Sequence, residues 1–165
     1  MKTPALILAC LLAATPALAQ KGHAHGEGRL DAVLDKDRLE LRLELPLDVA
    51  VGFERAPRNE KEKEAIAAAA RQLGDPALFL PSAAAGCRAE TPHVELPAFQ
   101  AGRTEEHADI VANHAFRCSS PAALKLVDTS LFRHFKRLYR IEAQRVGPAW
   151  QGAARLTPKN PVLSW

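Results

Sequence analysis

The segment from Arg38 to Leu45 constrains the fold most, because apolar and charged side chains alternate through it without a break. Four leucines at odd positions, 39 to 45, are separated by Arg or Glu at the even positions. A period of two predicts a β-strand with one buried face and one wet face. Such a strand is stable only within a sheet of three or more strands, so we expect a sheet at the centre of the fold.

The flanking sequence repeats this alternation on both sides. Residues 30–34 carry apolar side chains at every second position and run into the turn sequence Asp35-Lys36-Asp37. After Pro46, alternation resumes through Leu47, Val49, Val51 and Phe53. The simplest prediction is a meander of three strands.

One helix is predicted strongly, over residues 60–73. Asn59 is a good N-cap, and Glu62 stands where a capping-box partner would stand. Residues 60–73 (EKEKEAIAAAARQL) are strong helix formers with acidic residues in the first turn, and Gly74 follows as a stop. We expect residues 75–86 to form a loop.

The second half is expected to return to strands, at 87–96, 107–118, 139–143 and 149–156, with a short helical face of Phe132, Phe135 and Leu138 before the third. The predicted class is therefore α+β, mostly antiparallel β with one well-capped helix. Residues 20–165 have the length of one domain. Both halves, 28–80 and 87–165, start near a His and contain paired strands, which leaves open a duplicated β unit.

The N-terminus has the pattern of a secretory signal. Lys2 precedes an apolar run over residues 5–14, and Ala17-Leu18-Ala19 is a small-x-small cleavage sequence. The run is shorter than the roughly 20 residues that span a bilayer. We expect residues 1–19 to be a signal peptide, the remaining chain to be exported to the periplasm, and no stable membrane insertion after cleavage.

Composition and motifs exclude several classes of function. The formal net charge is only +3 and aromatic residues make up 5%, so the chain offers neither a basic stripe nor a stacking platform for nucleic acid. Nucleophile-elbow, zinc-protease and phosphate-loop motifs are missing from the sequence. Nothing in it indicates an enzyme.

Two cysteines remain after Cys10 is removed with the signal. An even pair in an oxidising compartment favours a disulfide between Cys87 and Cys118 over two metal-binding thiols. Closing a loop of this length would stabilise the fold by roughly 3–4 kcal/mol in the chain-entropy model.

Two short pairs are candidate metal ligands. His23 and His25 are two residues apart, and so are His107 and Asp109 at the start of a predicted strand. Side chains at i and i+2 of an extended chain project to one side and can approach one cation. Together the pairs supply three imidazoles and a carboxylate, which suits zinc. A flexible tail with two histidines and a plain His–Asp hydrogen bond are the alternatives.

The other histidines are weaker candidates. His114 falls on the apolar face of its strand and is expected to pack in the core rather than bind metal. His93 and His134 are expected to be ordinary surface residues. Cleavage after Gln20 would place His23 third in the chain, where it binds copper or nickel with the terminal amine; cleavage after Ala19, which the signal favours, removes that option.

These motifs, in this order, resemble the ZrgA family of bacterial periplasmic zinc-uptake accessory proteins. The similarity covers nearly all of the mature chain and begins with His23-Ala24-His25-Gly26. It continues through residues 52–57 (GFERAP), the capped helix, Ala85-Gly86-Cys87 and residues 106–109 (EHAD). It ends with residues 116–118 (FRC), Leu131-Phe132, and Gln151 leading to Leu156-Thr157-Pro158.

The resemblance implies a protein that binds Zn²⁺ and hands it to an inner-membrane zinc importer, with both His pairs as ligands. This chain departs from the family at three places. Arg55 stands where the family usually has His, His114 replaces a usual aromatic, and a long His-rich insert is absent because residues 88–106 contain only His93. The competing hypothesis is a structural or interaction module that binds no metal.

Overall fold

The computed structural model describes residues 26–99 and 108–164. In chain order the strands of this part are β1 (Glu27–Asp35), β2 (Arg38–Pro46), β3 (Phe79–Pro81), β4 (Cys87–Ala89), β5 (His93–Glu95), β6 (Asp109–Cys118), β7 (Leu126–Thr129), β8 (Arg140–Gly147), β9 (Trp150–Leu156) and β10 (Val162–Ser164). The helices are α1 (Leu47–Val51), α2 (Glu60–Leu73) and α3 (Leu131–His134), with single 3₁₀ turns at Pro76–Leu78, Ala83–Ala85 and Pro121–Ala123.

Seven strands form the larger sheet, in the order β4–β6–β2–β1–β8–β9, with β5 also paired to β6. Neighbouring strands are antiparallel except β1 and β8, which are parallel. A smaller antiparallel sheet has the order β10–β7–β3. The prediction of a mostly antiparallel α+β fold is confirmed.

The core lies against one face of the larger sheet. The leucines of β2 that face inward, at positions 39, 41, 43 and 45, are at most 1% exposed. Helix α2 adds Ile66, Ala69 and Leu73 to the same core. Burying one leucine side chain completely stabilises a fold by roughly 1.5–3 kcal/mol, so the alternating segment contributes strongly.

The prediction of a third strand in the meander is wrong, because residues 47–51 form the short helix α1. The backbone N–H of Leu47 donates to Ala108 O at 2.8 Å, which continues the β2–β6 pairing up to the first residue of the helix. Gly52 ends the helix with a φ of 90° and donates to Asp48 O at 2.8 Å. Five residues are too few for apolar spacing to separate a strand from one helical turn, and this end-capping glycine decides the outcome.

Helix α2 has the predicted bounds. The Asn59 side chain accepts a hydrogen bond of 2.9 Å from Glu62 N, as an N-cap should. The Glu62 carboxylate does not return to Asn59 but accepts from the backbone N–H of Arg58 at 2.7 Å. Both side chains therefore accept a backbone N–H at the N-terminus of the helix. The bond to Glu62 comes from Arg58 rather than from Asn59, one residue earlier than in a capping box.

The segments after α2 are more structured than expected. The predicted loop at 75–86 contains strand β3, which pairs with β7, and β10 follows the strand expected to be the last. The predicted strand at 87–96 is split into β4 and β5. The register of their pairing with β6 shifts by one residue between Ala89 and His93. This shift is a β-bulge, and it includes Pro92, which has no N–H to donate to β6.

In residues 26–99 and 108–164, no helix has both the length and the apolar character needed to cross a membrane.

Candidate metal centre

Three strands meet at one end of the larger sheet, which we call the Asp109 end. Strand β1 begins there at Glu27, β2 ends there at Pro46, and β6 begins there at Asp109. Pro46 is the partner of Asp109 in the β2–β6 register. The β1–β2 register pairs Arg29 with Glu44, and its continuation by two residues places Glu27 beside Pro46. Glu27 and Asp109 are therefore about two strand spacings, roughly 10 Å, apart.

The Asp109 end is where both predicted ligand pairs join the described chain. His23, His25 and His107 lie outside the described residues, so their predicted roles stay predictions. His25 directly precedes Gly26, and His107 is two residues before Asp109. In the sequence, both pairs thus adjoin described residues that lie at this end of the sheet.

Asp109 itself lies on the outward face of β6 and is partly buried, while Ile110, Ala112 and His114 point into the core. This is the alternation that the sequence predicts for the strand. Its carboxylate stands at the sheet end on the outward face, with the Oδ1 atom buried. A carboxylate is a chemically suitable ligand for a divalent cation at such a position.

Gly26 fixes how the N-terminal segment enters the sheet. Its φ is +81°, and its carbonyl accepts a hydrogen bond of 3.0 Å from Tyr139 N. A Cβ at this position would lie 2.2 Å from the Tyr139 ring. Only glycine satisfies both the positive φ and this close approach, so a family motif that ends in glycine has a structural reason at this position.

Glu27 is a second carboxylate at the Asp109 end, which the sequence did not single out. It forms an ion pair with Arg140, and Tyr139 Oη donates to it at 3.3 Å. The hydrogen bond from Arg140 lowers the pKa of Glu27, so the carboxylate stays ionised. Because Arg140 already neutralises this charge, Glu27 is suited to orient β1 against β8 rather than to bind a cation.

His114 packs in the core, as expected. It is 2% exposed, and its ring meets Phe79 edge-on with centroids 5.0 Å apart. Burial lowers the pKa of His114, which keeps the ring neutral. The structure does not bring His114 to the outward face that carries Asp109.

Arg55 has a structural partner. Its guanidinium donates two hydrogen bonds to Glu62, of 2.7 and 2.8 Å, and lies 4.8 Å from the centroid of the Phe53 ring. Arginine has no lone pair to offer a metal. At this position the family's usual histidine is thus replaced by a side chain that fastens the loop before α2 to the first turn of that helix.

Sequence reasoning missed a polar group on β5. His93 and Glu95 lie on the outward face of the sheet, with His93 Nε2 and Glu95 Oε1 3.7 Å apart. Asn113 of β6 contributes a side-chain nitrogen 3.3 Å from the same Glu95 oxygen. His93 and Asn113 also line a cleft of about 450 Å³ on this face. The i, i+2 spacing of His93 and Glu95 was the available signal, but Pro92 suggested a loop.

Across the described part of the chain, no three His, Cys, Asp or Glu side chains come together in a metal-binding arrangement. A complete set of protein ligands at the Asp109 end would therefore have to include residues from 1–25 or 100–107.

Cys87 and Cys118 are joined by a disulfide, as predicted. They are direct partners in the pairing of β4 with β6. The bond closes a loop with a sequence separation of 31 and ties the sheet edge that carries β5 to the central strands. Both thiols are thereby removed from the possible metal ligands.

The structure is an α+β fold whose larger sheet carries on its outward face the carboxylate of Asp109 and, on β5, the imidazole of His93. The chain belongs to the ZrgA family of zinc uptake proteins, whose family model matches residues 22–165. A comparison with curated proteins finds no significant match. This match confirms the resemblance to the ZrgA family that the sequence motifs indicated, and it includes every residue that the structure describes.

Proposed function

We propose that this protein is a periplasmic zinc-binding protein that assists zinc acquisition by delivering Zn²⁺ to an inner-membrane importer. In this proposal residues 1–19 are a cleaved signal peptide, and the protein is not an enzyme. Membership of a zinc uptake family supports the link to zinc transport. The ligand set, the compartment and the importer are part of this proposal.

The observation that carries the proposal is the meeting of β1 and β6 at the Asp109 end. The two predicted ligand pairs are more than 80 residues apart in the sequence, yet they join the described chain about 10 Å apart. Side chains one to three residues beyond the junctions can span that gap. The topology therefore supports one shared site of His23, His25, His107 and Asp109.

The donor chemistry favours zinc over other cargo. Imidazole nitrogen and carboxylate oxygen bind zinc at roughly 2.0–2.2 Å, usually with four ligands in a tetrahedron. The disulfide holds both mature cysteines, and the one methionine is Met1, so copper(I) has no soft ligands here.

The strand pair should contribute more to affinity than the N-terminal pair. Asp109 is positioned by β6 before metal arrives, and His107 is only two residues from it, whereas His23 is three residues from the first described residue, Gly26. We therefore expect His107→Ala to weaken zinc binding more than His23→Ala.

The test is titration calorimetry with Zn²⁺ on the mature protein, residues 20–165, and on four variants. Asp109→Asn, His107→Ala and His23→Ala change proposed ligands, and His134→Ala is the control because it changes a histidine at the end of α3 that is not a proposed ligand. We expect tight binding that the first three variants weaken and the control does not. Unchanged binding in all three ligand variants would remove the site.

Delivery is tested separately, in cells that lack this protein and grow with a zinc chelator. The wild-type chain should restore growth, and Asp109→Asn should restore it less. Equal restoration by both would mean that zinc binding at this site is not what the cell uses.

A module that binds no metal is the second candidate. It is favoured by β9, which in the described part of the chain pairs with β8 on one side only and so presents a strand edge. A thermal shift separates the two, since a ligand that binds the folded state alone must raise the unfolding temperature. No shift with Zn²⁺ would favour the module.

A further inference from the structure

The polar group on β5 and β6 has the shape of a small cation site. His93 and Glu95 project from the same side of β5, and Asn113 lies opposite His93 in the pairing of β5 with β6. The Glu95 carboxylate is the common point, 3.7 Å from His93 Nε2 and 3.3 Å from Asn113 Nδ2. Three side chains of different donor type therefore converge on one position above the sheet.

These distances fit two donors of one metal ion. Two ligand atoms at about 2.1 Å from a tetrahedral zinc are about 3.4 Å apart. The His93–Glu95 separation of 3.7 Å is thus within a few tenths of an ångström of the required spacing. The Asn113 amide donates its N–H to Glu95 in this structure, so it would supply a third donor only after a 180° rotation that gives up this hydrogen bond and presents the amide oxygen.

We propose that His93, Glu95 and Asn113 form a second, weaker Zn²⁺ site on the outward face of the sheet. Two strong protein donors and one amide leave at least one coordination position to water. The side chains of His93 and Glu95 are 73% and 58% exposed, so the ion would enter and leave freely. Such a site binds weakly and exchanges its metal fast.

A nearby cation keeps this site weak. Arg42 is opposite Asn113 in the pairing of β2 with β6, and its guanidinium is paired with Glu44. The hydrogen bond to Glu44 is the main cause that raises the pKa of Arg42, and electrostatic attraction to Glu95 adds to it. A bound Zn²⁺ would be repelled by the same guanidinium.

The second site adjoins the Asp109 end. Glu95 is paired with Val111, the neighbour of Asp109 on the same face of β6, so Glu95 and Asp109 are diagonal cross-strand neighbours about 7–8 Å apart. If the proposed function holds, an ion bound at the weaker site lies next to the tighter site at the Asp109 end. The weaker site itself depends only on residues that the structure describes.

The experiment is a Zn²⁺ titration of the mature protein by calorimetry, followed by NMR of the histidine ring signals. The variants are His93→Ala, Glu95→Gln and Asp109→Asn. The controls are His134→Ala, another described histidine, and Glu142→Gln, an exposed carboxylate elsewhere on the same sheet face. Circular dichroism checks the fold of each, which these surface changes should preserve.

We expect a second, weaker class of sites in the wild type, and zinc-dependent shifts of the His93 ring signals within that class. His93→Ala and Glu95→Gln should each weaken it about tenfold or more, since even outer-shell changes cost 10–100-fold at metal sites. The controls should leave it unchanged.

The outcomes separate the two proposals. Asp109→Asn should weaken only the tight Zn²⁺ binding. If the wild type showed no tight Zn²⁺ binding at all, the proposed function would be wrong, but the proposal of the weaker site would be unaffected. The weaker site is overturned if the wild type shows no such class, if the class survives both variants, or if His134→Ala weakens it equally.

Discussion

His114 Nε2 of strand β6 donates a hydrogen bond of 2.9 Å to the backbone carbonyl of Leu73, the last residue of helix α2. Carbonyls in the last turn of a helix have no partner within the helix, so this bond satisfies one of them while joining α2 to the sheet. Because Nε2 carries the proton, Nδ1 is left as an acceptor, and it has no hydrogen-bond partner among the described residues.

Replacing His114 with Phe should change how stability depends on pH. Burial lowers the pKa of His114 below its ordinary value of 6.5, so the unfolded chain binds more protons than the folded one as pH falls past 6.5. Wild-type stability should therefore decrease from pH 6.5 down to the lowered pKa, and the His114→Phe profile should be flatter there. Denaturant unfolding at pH 7.5, 6.5, 5.5 and 5.0 measures both profiles.

At neutral pH the same variant should be less stable than wild type by about 1–2 kcal/mol. It leaves the carbonyl of the buried residue Leu73 without this donor, which costs about 1–3 kcal/mol, and removing the buried Nδ1 offsets part of that loss. His134→Phe is the matched control, because that histidine lies at the end of α3 on the surface. Parallel pH profiles for wild type and His114→Phe would contradict this account.

The disulfide should account for a large part of the stability. Reducing it, or changing both Cys87 and Cys118 to Ser, should lower the free energy of unfolding by about 2–5 kcal/mol, since it closes a loop with a sequence separation of 31. Urea unfolding of the variant and the wild type measures the difference. A free-thiol assay on denatured, unreduced protein should find none, and two reactive thiols would show the bond to be absent.

Local patterns predicted the elements whose signal repeats. Alternation over the eight residues from Arg38 to Leu45 identified β2, and a cap with a run of helix formers gave α2 its observed bounds. They failed over short segments. Residues 47–51 alternate like a strand but form a helix because Gly52 adopts a positive φ, and Phe79–Pro81 is a strand only because β7 pairs with it.

The candidate site shows the same division. The sequence predicted that Asp109 faces outward and His114 inward, since both follow from strand periodicity. It could not predict that β1 and β6 begin at the same end of the sheet, nor that Asn113 lies opposite His93. Both facts depend on the register between strands, which is set by packing of the whole sheet rather than by any local pattern.

The Arg55–Glu62 ion pair should stabilise the fold until strongly acidic pH. The hydrogen bonds from the Arg55 guanidinium, and then from the backbone N–H of Arg58, lower the pKa of Glu62 from 4.5 to about 2. A lowered folded-state pKa adds stability that is complete above pH 4.5 and is lost as pH falls through about 2. Glu62→Gln and Arg55→Ala should each lower the unfolding temperature at pH 6 and flatten its acid dependence.

The control for this pair is Glu60→Gln, two residues away in the first turn of α2. Glu60 pairs with Lys63, but its side chain is 87% exposed, and such pairs contribute little. Thermal unfolding followed by circular dichroism from pH 6 to pH 2 compares the variants. An acid profile for Glu62→Gln that matches that of Glu60→Gln would show that the guanidinium does not hold Glu62 ionised.

Zinc affinity should fall steeply as pH decreases from about 7 to 5. Zinc binds the neutral imidazole, and an unperturbed histidine has a pKa of about 6.5, so protons compete for every His ligand. With His23, His25 and His107 in one site, the competition compounds, and we expect a loss of several powers of ten in apparent affinity. A site made of carboxylates alone would barely respond, because Asp and Glu stay ionised down to about pH 4. Competition with a chelator at fixed ionic strength measures the profile, and His107→Ala should make it shallower because one competing proton is removed. A flat wild-type profile would mean that the histidines do not bind the metal.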